Sequence, residues 1–186
     1  MPSHIRSFSQ LLRRFRRNRG GSTVVEFALV APMFFALLFA IIETAFMFFA
    51  SQVLETVTQD SARKIMTGQT QDAQLTAAQF KSEVCGRVAA LFDCAGGIYV
   101  DVRSYPAFAG VNIADPISAS KTFIDDMKFC PGKSGEIVVV RLFYQWPILV
   151  TKFGYDISNL AGSKRLLTAT AAFQNEPFSG NGTTCS

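Results

Sequence analysis

Phe27–Ala50 reads FALVAPMFFALLFAIIETAFMFFA, 24 residues in which Glu43 and Thr44 are the only clearly polar side chains. A helix of about 20 such residues, rising about 1.5 Å per residue, crosses the hydrocarbon of a bilayer. The competing reading is a cleaved secretory signal, whose apolar part covers only about 7–15 residues and ends in small side chains. With Ala40 or Ala50 at the cut, the second small position falls on Leu38 or Phe48, neither of which is small. The run therefore predicts a retained transmembrane helix, assigned to residues 22–50.

The flanks give this helix a direction. Arg6, Arg13, Arg14, Arg16, Arg17 and Arg19 precede it with no acidic residue among positions 1–21. The first basic residues after it are Arg63 and Lys64. Short cationic flanks stay in the cytoplasm, so the N-terminus is expected inside and the C-terminal part exported. The formal net charge is +4, from 18 basic and 14 acidic residues; without the six leading arginines, 12 basic residues face 14 acidic ones. The body is thus near neutral, and Arg13, Arg14, Arg16, Arg17 and Arg19 are read as a topology signal. No nucleic-acid partner is expected.

At the mouth of the helix stands GGSTVVEF, Gly20–Phe27. A carboxylate beside hydrocarbon is costly and calls for a partner. The blander reading leaves Glu26 in the headgroup layer and makes Gly20-Gly21 a flexible junction. The spacing Gly21-x4-Glu26-Phe27 after a basic leader resembles the processing site of type IV pilin-like proteins, and most closely the TadE-like pseudopilins of tight-adherence pili. That resemblance implies a prepilin peptidase cutting between Gly21 and Ser22, with Glu26 and Phe27 completing the processing and assembly motif. A freed α-amine, with an ordinary pKa near 8, is largely cationic at neutral pH and can pair with Glu26 of its own or a neighbouring subunit. Cutting after Gly20 would spoil the spacing. Within the helix, Pro32 is expected to permit a kink. Glu43, about 25 Å beyond Glu26, is expected at the outer interface, paired with another subunit or snorkelling.

Beyond the membrane, Leu54, Val57, Ser61 and Ile65 continue a helical stripe toward a stop at Gly68, giving one helix over about Val24–Thr67. A second helix is expected from about Thr76 to Phe92, its apolar face formed by Phe80, Val84, Val88, Leu91 and Phe92. Three alternating stretches follow: Ile98/Val100/Val102, Val138/Val140/Leu142/Tyr144 and Leu167/Ala169/Ala171/Phe173. They predict an antiparallel sheet of about three or four strands packed on one or two helices. Asp115-Pro116 is read as the start of a short helix through Met127. The fold class expected is α+β: a leader over 1–21, cleaved by the resemblance, a transmembrane helix over 22–50 and a periplasmic α+β domain over 51–186.

Cys85, Cys94, Cys130 and Cys185 all fall in the part placed outside the cytoplasm, where an even count favours two disulfides. Three pairings are possible and spacing alone does not choose among them. The preferred pair is Cys85 with Cys94, closing a short helix-to-loop segment, and Cys130 with Cys185, tying down the tail. No Cys-x2–4-Cys pair is present and the only histidine is His4, so neither metal nor cofactor is expected. No nucleophile-base or phosphate-loop arrangement appears either, so no catalytic residues are assigned. The ending AAFQNEPF, Ala171–Phe178, resembles the Asn-Glu-Pro-Phe close of TadE- and TadG-like chains; locally it is a strand stopped by a proline. The shortness of the chain favours TadE over TadG, with TadF open. The function implied is a minor pseudopilin in the bacterial inner membrane. Its implied partners are the prepilin peptidase, other pseudopilins, assembly-platform proteins and membrane lipid. The alternative is an unprocessed, membrane-anchored periplasmic binding module.

Overall fold

The computed structural model describes residues 21–88, 91–94, 97–150, 154–179 and 182. The expected leader, with Arg13, Arg14, Arg16, Arg17 and Arg19, and the expected cysteine partner Cys185 lie outside the described residues.

Helix α1 runs over Ser22–Met66, within two residues of the expected bounds, and passes through Pro32. Its residues up to Ile41 form one unit and Ile42–Ser186 another. In the first unit every large apolar side chain from Val24 to Ile41 is exposed. The helix is long and apolar enough to cross a membrane, and the most hydrophobic stretch has none of its residues buried within the protein.

From Ile42 onward the same helix becomes the spine of the packed unit. Met47, Ala50, Leu54, Val57, Thr58, Ser61 and Ile65 are buried. Spacings of three and four residues put them on one face. The polar members are compatible with burial because the helix itself offers acceptors: Thr58 Oγ1 donates to the Leu54 carbonyl at 2.7 Å. Residues 42–50, apolar enough to read as membrane, therefore also belong to the packed unit.

Gly68, at φ 81°, stops the helix in the left-handed region that favours glycine. A single turn, α2 (Gln69–Asp72), leads to α3 (Ala77–Val88). Thr76 caps α3 reciprocally with Gln79: the Thr76 N–H donates to Gln79 Oε1 at 2.9 Å and the Gln79 N–H to Thr76 Oγ1 at 3.3 Å. Phe80, Val84, Val88 and Phe92 are buried as the stripe predicts. The helix is described as far as Val88 and does not include Leu91 and Phe92; Phe92 reaches the core from a turn, its ring edge-on to Tyr144 at 4.7 Å.

Three strands, β1 (Ile98–Tyr105), β2 (Ile137–Pro147) and β3 (Lys164–Gln174), form one antiparallel sheet in sequence order. The predicted alternation fixes its inner face: Ile98, Val102, Val138, Val140, Leu142, Leu167, Ala169 and Ala171 join the α1 and α3 residues in one core. The outer face is covered too, by the long excursion between β1 and β2. Ile117, Phe123 and Met127 from that excursion pack on Phe143, Leu160 and Leu166. Strand β2 is consequently buried on both sides over Ile137–Phe143.

The helix expected from Asp115 to Met127 is not formed. Asp115 does accept the Ile117 N–H at 2.9 Å, the local bond an N-cap would make. The chain then turns back instead of winding on, with a bridge between Ile117 and Phe123 and Lys121 at φ 57°. Burying Ile117, Phe123 and Met127 on the sheet outweighs the weak helical preference of a serine-rich stretch.

Beneath this excursion lies a buried ion cluster. Asp101 is fully buried and receives Arg141 Nη2 at 2.6 Å, Arg103 Nε at 3.0 Å and the Lys128 N–H at 2.9 Å. Arg141 also donates to the Ala114 carbonyl at 3.0 Å and lies 5.2 Å from the centre of the Phe143 ring. The carboxylate satisfies two strands and the returning loop at once, so charge complementarity fixes where the excursion lands.

Candidate functional site

Gly21 and Ser22 sit where α1 opens, Gly21 in a turn and Ser22 as the first helical residue. Among the described residues, a side chain added at Gly21 would meet nothing within 4 Å. Glu26 and Phe27 lie one turn in and both are exposed. Side chains on a helix lean toward its N-terminus, and four residues rise about 6 Å, which aims the Glu26 carboxylate back at the first turn. That turn also carries the unpaired N–H groups and positive end of the helix dipole, a setting that favours an anion. Gly21, Ser22, Glu26 and Phe27 thus all lie within the first two turns at the helix start.

Glu43 behaves differently from both expectations for it. Its carboxylate accepts the backbone N–H of Leu149 and that of Val150, the latter at 2.9 Å, from the segment that follows β2. It occupies the stripe of Met47 and Ala50, one turn earlier, so its partner is the chain's own domain. The available clue was this register: a carboxylate at the membrane-side end of a buried stripe needs donors from whatever packs on that stripe.

The Asn-Glu-Pro-Phe segment closes the opposite end of the packed unit. Asn175, 2% exposed, donates through Nδ2 to the carbonyls of Pro131 at 2.9 Å and Lys133 at 3.0 Å. Gln71 Nε2 donates to the same Pro131 carbonyl at 2.9 Å. The Glu176 N–H donates to the Met66 carbonyl at 2.9 Å, satisfying one of the groups a helix end leaves unpaired. The Phe178 ring lies directly against Gly68, where a Cβ would come within 2.6 Å of Cγ. Each of these residues has a structural task at the C-terminus of α1.

Cys130, beside Ser104 at 3.4 Å, is disulfide-bonded. Cys85 and Cys94 are free thiols, contrary to the expected bridge between them. They are neighbours nonetheless: Cys85 Sγ lies 3.8 Å from the Cys94 carbonyl and Cys94 Sγ 3.6 Å from that of Cys85. Burial, with a further contribution from Cys94, pushes the Cys85 thiol up to about 12. A thiol held that firmly protonated is a poor nucleophile.

The class defined by these features is a protein with one apolar helix suited to single-pass membrane anchoring, carrying an α+β unit on its second half. Residues 21–63 match the family model described as TadE-like protein. The match starts at Gly21, immediately before α1, and ends at Arg63 within that helix. No curated protein and no solved structure matches the chain.

Proposed function

We propose that the protein is a minor pseudopilin of the tight-adherence (type IVb, Flp-type) pilus system, with a structural and not an enzymatic role in pilus assembly and adhesion. It is made with a cytoplasmic basic leader, anchored in the bacterial inner membrane by α1, and cut by a prepilin peptidase between Gly21 and Ser22. The domain lies in the periplasm, where other pseudopilins and assembly-platform proteins are its partners. The observation that carries this reading is the coincidence at one place of three things: the family match begins at Gly21, the helix opens at Ser22, and Glu26 stands one turn in.

The proposed chemistry follows from that spacing. Cleavage frees the Ser22 amine, a cation at neutral pH, within one turn of Glu26 or in reach of the Glu26 of a neighbouring subunit. Pairing offsets the cost of placing the carboxylate beside hydrocarbon and favours subunits stacked with a fixed axial offset. Glycine on the leader side of the cut leaves the backbone unobstructed for the peptidase.

N-terminal sequencing of the membrane-extracted protein, from cells with and without the peptidase, tests this. A mature chain starting at Ser22 only when the peptidase is present is expected. A chain starting at Met1 in both would leave an unprocessed anchored binding module. Glu26→Ala should insert and be trimmed but fail to support piliation, and normal piliation would remove the pairing role.

A further inference from the structure

We infer that the segment after β2, held by Glu43, is a second membrane contact, with Leu149 immersed in the lipid leaflet that faces the domain. The inference rests on the reading of α1 as a spanning helix and adds to it a lipid-binding surface on the packed unit.

Phe27 to Ile42 rises only about 23 Å, whereas Phe27 to Phe49 rises about 33 Å, against a hydrocarbon thickness of about 30 Å. The helix surface agrees with the longer span: Phe46, Phe48 and Phe49 are 56%, 66% and 56% exposed. Rings that large and that exposed are far better placed in lipid than in water. The membrane boundary therefore lies around Met47–Phe49. Glu43 is four to six residues before that, about 6–9 Å nearer the bilayer centre, and its side chain leans further in that direction.

Yet Glu43 is bonded to the backbone of Leu149 and Val150. Those residues must then lie at the same depth, below the level of the three phenylalanines. Their burial pattern fits the location. Ile148 and Val150 turn inward, while Leu149 between them is 74% exposed and Pro147 is exposed as well. An exposed leucine next to a satisfied carboxylate is what a lipid-facing loop requires: apolar surface outward and the charge neutralised by backbone donors. Directly across the sheet, Lys164 pairs with Pro147 in register and is exposed, a cation at the same end for a lipid phosphate to meet.

The test uses the full chain in phosphatidylethanolamine and phosphatidylglycerol vesicles, with Trp146→Phe removing the only native tryptophan. Three further variants in that background, Leu149→Trp, Phe35→Trp and Phe108→Trp, place a reporter on the loop, in the span, and just after the opposite end of β1. Fluorescence is compared in ordinary lipid and in lipid brominated on the acyl chains close to the glycerol. Quenching is expected to remove at least half the emission of the Leu149→Trp and Phe35→Trp variants and to leave Phe108→Trp nearly unchanged. If the Leu149→Trp variant behaves like Phe108→Trp while Phe35→Trp is quenched, the loop contact is overturned and the spanning helix stands. If Phe35→Trp also escapes quenching, the spanning reading falls and takes the loop contact with it.

Discussion

Replacing Asn175 by alanine removes the side chain that ties the close of β3 to the loop before β2. Two hydrogen bonds disappear, each contributing about 1 kcal/mol net. Neither carbonyl is left without a donor: Pro131 keeps its bond from Gln71 Nε2 at 2.9 Å and Lys133 keeps that from the Glu136 N–H at 3.2 Å. Against this, Asn175 Oδ1 is itself buried without a hydrogen-bond partner among the described residues, and deleting it returns about 1 kcal/mol. The expected loss is therefore about 1 kcal/mol, or about 2–4 °C in Tm for a chain of this size. Asn175→Asp should cost more than Asn175→Ala, since a carboxylate cannot donate and would face two carbonyl oxygens. Trp146 reports unfolding, because it is the only tryptophan and packs on Phe92 and Tyr144. Urea titration of the full chain in detergent micelles, read by that fluorescence, measures the difference. A loss under about 0.5 kcal/mol for Asn175→Ala, or a milder effect for Asn175→Asp, would refute the view of Asn175 as a donor to both carbonyls.

Gly68→Ala combines a positive φ with a clash against Phe178, so it should lower stability by more than the ~1 kcal/mol of ordinary left-handed strain, and Phe178→Ala in the same chain should restore part of the loss, as thermal unfolding would show. Asp101→Ala leaves Arg141 buried without its carboxylate and should cost about 3–5 kcal/mol in the same urea assay, whereas Asp126→Ala, at the exposed end of the Arg103 contacts, should cost under about 1 kcal/mol. Cys85, with its thiol pushed up to about 12, should resist iodoacetamide at pH 8 in the folded chain and react readily in urea, followed by mass spectrometry. The same shift means the folded state holds that proton more tightly than an unfolded thiol near 9, so its contribution is constant below pH 9 and stability falls as pH rises from there toward 12.

The parts of the fold governed by repeating hydrophobic patterns were legible from sequence. Leu54 to Ile65 carried the helical period beyond the membrane run, Gly68 marked its end, and the alternations in β1, β2 and β3 identified the residues that meet the helices. What escaped was decided by partners distant in the chain. Asp115-Pro116 carries a genuine cap signal, but its continuation depends on Phe143 and Leu166 lying beneath Ile117 and Phe123. The nine-residue separation of Cys85 and Cys94 points to a pair, and the two do come together, each Sγ lying within 3.8 Å of the other's carbonyl, but as free thiols. At the candidate site, Gly21, Ser22, Glu26 and Phe27 were identifiable because their spacing is local. The partners of Glu43 and Asn175 were not, since they lie more than a hundred and more than forty residues away along the chain.

Strand β2 and the second half of α1 are close to equal in length: Ile137–Pro147 extends about 33 Å, and Glu43–Met66 rises about 35 Å. They are fastened near both ends, by Glu43 to Leu149 and Val150 at one and by Met66 to Glu176, beside the start of β2, at the other. Tension applied along the helix must then slide the two elements past each other, breaking many contacts together, whereas a domain attached at one end could be unzipped contact by contact. The same two fastenings that locate the head on its helix make it suited to carrying mechanical load in shear.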